Sequence, residues 1–271
     1  MIHKIMGSIA GPFGKVVGSP KLPSTSIVQR IKPADYAGVA FCPAAPESQI
    51  DLINNLARKA KLITLGTDCD NSRRLSHIGF SQSNAGALAA RVVGNELSRQ
   101  GKVALLTTKL AHATPNTRVT DRLNRFKQAW GEHPTDCPII EADIDVNDVE
   151  HMSHDLATTL ADPELAFIVA FDTKAAEAAL KVLATLSRTR RVPMIAFDPS
   201  SAIFDAIDNG RACVAIFDDP YVNAFTAIMR LAEYCRADAC GIPVPGRGLE
   251  YVKSEVVRKE NVADFRKRLR S

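Results

Sequence analysis

In the stretch GTDCDNSRRLSHIGFSQSNAG, residues 66–86, two carboxylates stand one residue apart around a thiol, Asp68, Cys69 and Asp70, with Arg73 and Arg74 close behind. Carboxylates so spaced could ligate calcium, and the arginines could hold a phosphate. The calcium reading fails on spacing, because such a loop needs a Gly at its sixth position and a bidentate Glu at its twelfth. The phosphate reading fails on glycines: neither G-x-G-x-x-G nor G-x-x-x-x-G-K-[ST] occurs. What remains is Asp68 at the carboxyl end of the apolar run KLITLG, with Asp70 turning the chain and Arg73 and Arg74 as surface charges.

Asp68 has company. Asp172 closes LAFIVAF, Asp198 closes VPMIAF and Asp218 closes CVAIF. An Asp in that place either caps the next helix or faces the edge where open parallel sheets bind ligands. Four such residues in one chain favour a site.

Other chemistry is poorly supported. The cysteines at 42, 69, 137, 213, 235 and 240 show no C-x-x-C and no Cys/His zinc spacing. Cys42 and Cys213 lie in apolar runs and are expected as buried thiols. His3, His77, His112, His133, His151 and His154 have no Ser or Cys nucleophile motif beside them. The sequence therefore predicts no catalytic residue, no metal and no cofactor.

The elements that must position these acids follow from periodicity. AGVAFC reads as a strand, ESQIDLINNLARKA as a helix on Ile50, Ile53, Leu56 and Ala57, and KLITLG as a strand. After LSHIGF the alternation continues. A helix on Leu88, Ala89, Val92, Val93 and Leu97 precedes the strand VALLTT. A helix on Leu123, Phe126 and Trp130 precedes PIIEADI, and one on Val149, Met152, Leu156 and Leu160 precedes LAFIVAF. Then come AAEAALKVLATL, VPMIAFD, SAIFDAIDN, CVAIFDD and YVNAFTAIMRLAEYC, again helix and strand in turn. Strands alternating with helices predict parallel α/β sheets.

Composition agrees with a globular domain: 271 residues, 46% hydrophobic and 24% charged. The net charge of +4 is dispersed apart from the run RKRLR near the C-terminus, read as a solvated tail. That is too little for a nucleic-acid footprint. No apolar run is long enough to span a bilayer, and residues 1–26 hold no continuous apolar segment of the signal-peptide kind.

The succession TDCDNSRRLSHIGFSQSNAGALAA, GKVALLTT, TDRLNRFKQAW, VAFDTKAAEAALKVL, PMIAFDPSSAIFDAIDNG, VAIFDDPYVNAFTAIMRLAE and SEVVRKENVADF resembles the type I periplasmic binding proteins. It is most similar to the ribose-binding-like sugar receptors of ABC transporters, with the ligand domain of lactose-repressor-type regulators as a relative. The likeness covers about residues 35–265, and its specificity lies in the order of the motifs.

The resemblance implies an α/β fold of two doubly wound parallel-sheet lobes joined by a hinge of crossing strands. The first lobe would comprise residues 1–79 plus 220–250 and the second 80–219 plus 251–271. Only some 35 residues precede AGVAFC, where family members have a strand, a helix and a second strand, so the first lobe is expected to be incomplete. By the same likeness Asp68, Arg122 (four residues before Phe126), Asp172, Asp198 and Asp218 would bind the ligand, a monosaccharide or related polyol. Where Asp172 and Asp218 stand, the ribose-binding pattern more often has an amide. The more acidic pocket leaves an amino sugar or another cationic ligand open.

The implied function is that of a non-enzymatic solute-binding protein for an ABC importer, a monomer whose protein partner is the membrane permease. The alternative is the ligand-sensing domain of a transcriptional regulator without its DNA-binding part. The implied place is the periplasm or cell envelope if a signal peptide lies upstream, and the cytoplasm otherwise.

Overall fold

The computed structural model describes residues 36–43, 47–97, 100–109, 117–133, 137–145, 149–186, 191–198, 200–210, 214–241 and 248–270. The expected features of residues 1–35, and the environments of Cys213 and His112, lie outside them. Two units result: one of Met1–Ser81 with Asp219–Lys253, the other of Gln82–Asp218 with Ser254–Ser271. The chain thus passes between them three times.

Unit 1 is built on a parallel sheet of four strands among the described residues: β1 (Gly38–Phe41), β2 (Lys61–Leu65), β3 (Ser76–Phe80) and β9 (Gly248–Val252), side by side in that order. Helix α1 (Ile50–Ala57) covers one face, where Ile53 and Leu56 meet Phe41, Leu62 and Cys69. Helix α7 (Pro220–Ala239) covers the other, placing Ala227, Leu231 and Tyr234 against Ile63, Leu65 and Ile78. Gly38 permits that approach: a Cβ there would stand 2.6 Å from Leu231 Cδ1.

Among the described residues unit 2 holds six strands in the order β10-β8-β7-β6-β4-β5. These are β4 (Lys102–Thr108), β5 (Ile139–Ile144), β6 (Leu165–Ala170), β7 (Met194–Phe197), β8 (Val214–Phe217) and β10 (Glu255–Val257), the last antiparallel and the rest parallel. Helices α2 (Gln82–Glu96), α3 (Thr117–Gly131), α4 (Val149–Ala161), α5 (Thr173–Thr185), α6 (Ser201–Asp208) and α8 (Val262–Arg270) complete it. Strands covered on both faces must be apolar throughout, and β6, LAFIVA, is buried at every residue. Its alternate side chains divide between two cores. Phe167 and Val169 pack with Ala89, Val93 and Phe126 from α2 and α3; Ile168 and Ala170 pack with Leu160, Ala179 and Phe204 from α4, α5 and α6.

Three sequence expectations change. Cys42 is exposed, because it lies one residue beyond the end of β1 rather than within it. Arg74 is buried, not a surface charge, because Asp68 folds back to meet it. The basic C-terminal run is not a solvated tail: Arg266 and Arg268 belong to α8, where Arg266 pairs with Asp205 and Asp208 and Arg268 with Glu255. Their neighbour Phe265 is buried against Phe217.

Candidate functional site

The order of the unit 2 sheet reverses direction between β4 and β6, since β5 lies on one side of β4 while β6, β7 and β8 follow on the other. In an open parallel sheet the loops at such a point diverge from the carboxyl ends of the two strands and leave a crevice. Thr108 ends β4 and Asp172 follows β6. Asp172 Oδ2 accepts from Thr108 N at 3.0 Å and Thr108 Oγ1 at 3.1 Å, while Oδ1 accepts from Ala175 N at 2.9 Å and caps α5. This Asp is therefore a cap, and it ties the two strands of the switch point together.

Asp198 and Asp218 are not caps. Ser200 caps α6, accepting from Ile203 N at 3.3 Å. Asp219 accepts from Tyr221 N at 2.9 Å in the first turn of α7. With those duties taken by neighbours, Asp198 and Asp218 turn to Arg122. The Arg122 guanidinium donates from Nη1 to Asp198 Oδ2 at 2.8 Å and to Phe171 O at 3.3 Å, and from Nη2 to Asp198 Oδ1 at 3.1 Å and Asp218 Oδ2 at 3.3 Å. Its Nε donates to Gln82 Oε1 at 2.6 Å. A guanidinium has five N–H donors, and these five bonds engage all of them. Arg122 is only 1% exposed, and its cationic plane lies 4.6 Å over the Phe197 ring.

The chain's aromatic core fixes that plane. Phe197 stacks on Phe171, Phe171 meets Phe126 edge to face, and Phe126 stacks on Trp130. Gly86 of α2 lets α3 come close enough: a Cβ there would collide with the Arg122 carbonyl oxygen. Asp198 adopts φ 59°, a left-handed conformation that disfavours most L-residues but that Asp tolerates. Asp218 also accepts from Ser254 Oγ at 2.5 Å and Gln82 Nε2 at 3.3 Å.

A cavity of about 290 Å³ opens beside this cluster, lined among others by Thr108, Arg118, Arg122, Asp172, Lys174 and Asp198. It lies at the small end of the range for small-molecule sites. Of the residues expected from the resemblance, Arg122, Asp172 and Asp198 line this cavity; Arg118 and Lys174 line it too and were not anticipated, since a charge at an exposed helix start reads as ordinary surface.

Asp68 belongs to unit 1. Arg74 clasps it with two charge-assisted bonds, Nε to Oδ1 at 2.5 Å and Nη2 to Oδ2 at 2.6 Å. Thr64 Oγ1 and Cys69 N donate to Oδ1 at 2.9 and 2.7 Å. Burial raises the Asp68 carboxyl, but Arg74, the nearby His77 and the Cys69 and Thr64 donors outweigh it and hold the pKa below its ordinary value. Burial likewise keeps His77 below its usual value, against the pull of Asp68. Among the described residues no group of three or more His, Cys, Asp or Glu is placed to hold a metal ion, and no helix is long and apolar enough to cross a membrane.

Comparison with known proteins adds the following. A family model described as a periplasmic binding protein domain matches residues 25–239. No curated protein matches. Among solved structures, an arabinose binding protein from Geobacillus stearothermophilus is similar at a TM-score of 0.80 and 17% identity, covering 97% of this chain and 93% of that one. The sugar-binding protein of a sugar ABC transporter from Bacillus halodurans gives 0.79 and 19%, over 97% and 94%. A putative LacI transcriptional regulator from Bacteroides fragilis gives 0.73 and 17%, over 97% and 92%. At these identities the likeness concerns the fold.

Proposed function

The chain belongs to the type I periplasmic binding protein family, and from that premise we propose that it is a solute-binding protein that captures a sugar or similar polyol for an ABC-type importer. It would bind its ligand without turning it over and present the bound form to the membrane permease, as a monomer in the periplasm or cell envelope. The observation that carries this reading is the Arg122–Asp198 fork beside the cavity at the switch point of the unit 2 sheet. A carboxylate held in place by a buried guanidinium accepts from hydroxyl groups, and a polyol is a molecule made of hydroxyls.

Roles within the cluster differ in this reading. Asp198 contacts the ligand, Arg122 and Asp218 hold Asp198 in place, and Asp172 fixes the cavity wall. Asp68, in unit 1, is a further candidate ligand-binding residue on the strength of the family resemblance alone. Two of the similar structures carry sugar-binding names, which supports a carbohydrate ligand. The similarity to a putative LacI regulator supports a second reading, a ligand-sensing domain. DNA upstream of Met1 separates the two: an export segment favours the receptor and a helix-turn-helix the regulator.

The direct test is thermal unfolding of the whole chain against a panel of monosaccharides and polyols. A ligand present at 100 times its Kd stabilises the folded state by about 2.7 kcal/mol, and Asp198→Asn should remove most of that gain. A panel with no effect on the unfolding temperature would dispose of the proposal.

A further inference from the structure

We infer that the ligand of this site is an anionic sugar, one bearing a carboxylate or a phosphate, whose charge is received by Lys174 and Arg118. The inference rests on the carbohydrate reading above and narrows its ligand class.

On the donor side, little is left over except cations. All five N–H groups of Arg122 are engaged. The Thr108 hydroxyl donates to Asp172, and the Thr173 hydroxyl donates to the Asp198 carbonyl at 3.4 Å. Arg118 and Lys174 remain. Arg118 lies one turn before Arg122 on α3 and so shares its face. Its side chain is 56% exposed, and its approach to Asp218, 3.7 Å, is beyond hydrogen-bond distance. Lys174 is exposed and has no ion pair among the described residues. It stands in the first turn of α5, where the helix dipole disfavours a cation.

The acceptor side is nearly closed. Asp172 takes three donors, and Asp218 takes Ser254, Gln82 and Arg122. Asp198 takes only the Arg122 fork and its side chain is 36% exposed, so its outward lone pairs remain for hydroxyls. Two exposed cations, Lys174 with no ion pair among the described residues and Arg118 with only a distant one to Asp218, beside one receptive carboxylate suit a molecule with an acidic group and adjacent hydroxyls. The same arrangement opposes an amino sugar, whose ammonium would face Lys174 and Arg118. Asp172 and Asp218, the carboxylates that made the expected pocket more acidic, are committed to the protein itself.

The test is calorimetric titration of the full chain with glucose, glucuronate, gluconate, glucose 6-phosphate, and the corresponding galactose and arabinose series. We expect an anionic member to bind at least about tenfold tighter than its neutral parent, as charge-assisted bonds imply, and to weaken as salt is raised. Whether carboxylate or phosphate is preferred identifies the group. Lys174→Met and Arg118→Met should each remove about tenfold of that preference, read as the ratio of the affinities for the anionic member and its neutral parent in the same variant. Both side chains are exposed, so the variants should fold, which circular dichroism would check. Binding of neutral sugars with no gain from an anionic group, or an anionic preference unchanged in both variants, would overturn this inference and leave the carbohydrate reading standing. Absence of binding across both series would overturn the two together.

Discussion

Arg122 holds Asp198 by both carboxylate oxygens, 2.8 and 3.1 Å from its two terminal nitrogens, while one of those nitrogens also reaches Asp218 at 3.3 Å. A helix residue thus joins the ends of β7 and β8 through side chains alone. Because the guanidinium is planar and forked, the pair has one geometry, and it aims Asp198 at the cavity.

Removing the arginine should therefore harm more than binding. Arg122→Ala leaves buried Asp218 with only the exposed Arg118, 3.7 Å away, as a cation, and takes one donor each from Gln82 and the Phe171 carbonyl. Breaking a buried pair on one side costs about 3–5 kcal/mol, to be read as a lowered urea midpoint. Arg122→Lys keeps the charge but not the fork, and should recover only part of that loss. If Arg122→Ala unfolds at the wild-type midpoint, the hub does not carry the structural weight assigned to it.

Asp172 offers a finer test, because a carboxylate and an amide differ there by a single polarity. Its Oδ1 caps α5 and its Oδ2 faces two donors of Thr108. In Asp172→Asn the oxygen can cap, but the NH₂ then confronts the Thr108 N–H. The loss of one good acceptor should cost about 1–2 kcal/mol, and Thr108→Val combined with Asp172→Asn should cost less than the sum of the two separate changes. Strict additivity in that double-mutant cycle would argue against the contact.

How much of this could be read in the sequence depends on the kind of signal. LAFIVA, MIAF and VAIF announce themselves because strands buried on both faces are apolar without interruption. The parallel sheet of unit 2 follows from them, whereas the division into two units was implied by the family resemblance alone. β9, GLEYV, is an edge strand with alternate residues half exposed, and β10 has three residues, so neither rises above loop composition. α8 shows few apolar residues among its basic ones, and its fold depends on partners far away in sequence. The strand-end acids were visible, but the split between caps and site was not: it turns on whether Ser200 and Asp219 take the capping bonds. Arg74 sits in a loop without periodicity, and only the closed β2–β3 turn shows that it is buried.

The C-terminal helix separates packing from charge. Phe265 is 2% exposed, packs edge to face on Phe217 at 5.5 Å, and carries Arg268 over its ring at 3.9 Å. Phe265→Ala should cost about 3–5 kcal/mol, the range for emptying a buried aromatic site. Arg266→Ala removes ion pairs to Asp205 and Asp208, both substantially exposed, and should cost about 1 kcal/mol or less. Denaturant titration of the two variants side by side decides it; equal losses would mean that the ion pairs hold α8 down as firmly as the aromatic ring does.

In unit 1 the cluster of Asp68, Arg74 and His77 makes stability depend on pH in two windows. His77 Nδ1 lies 3.1 Å from Thr64 Oγ1 and 3.5 Å from Asp68, with the Arg74 cation nearby and its own burial disfavouring charge. Its folded pKa is below the ordinary 6.5, so as pH falls past 6.5 the unfolded chain takes up a proton that the folded chain does not. The folded state then loses stability. Asp68 is likewise lower when folded than its ordinary 3.8. Its contribution is present above that value and is lost as pH falls through the folded pKa. Unfolding free energy should thus decline in a first step below about pH 6.5 and in a second below about pH 4. His77→Asn, which keeps a polar partner for Thr64 but does not titrate, should abolish the first step and leave the second; Asp68→Asn should do the reverse at low pH and, by removing the attraction on the imidazolium, lower the His77 pKa further. Imidazole proton shifts followed by NMR through the same range report His77 directly, and a midpoint above 6.5 would reverse the sign of the first step.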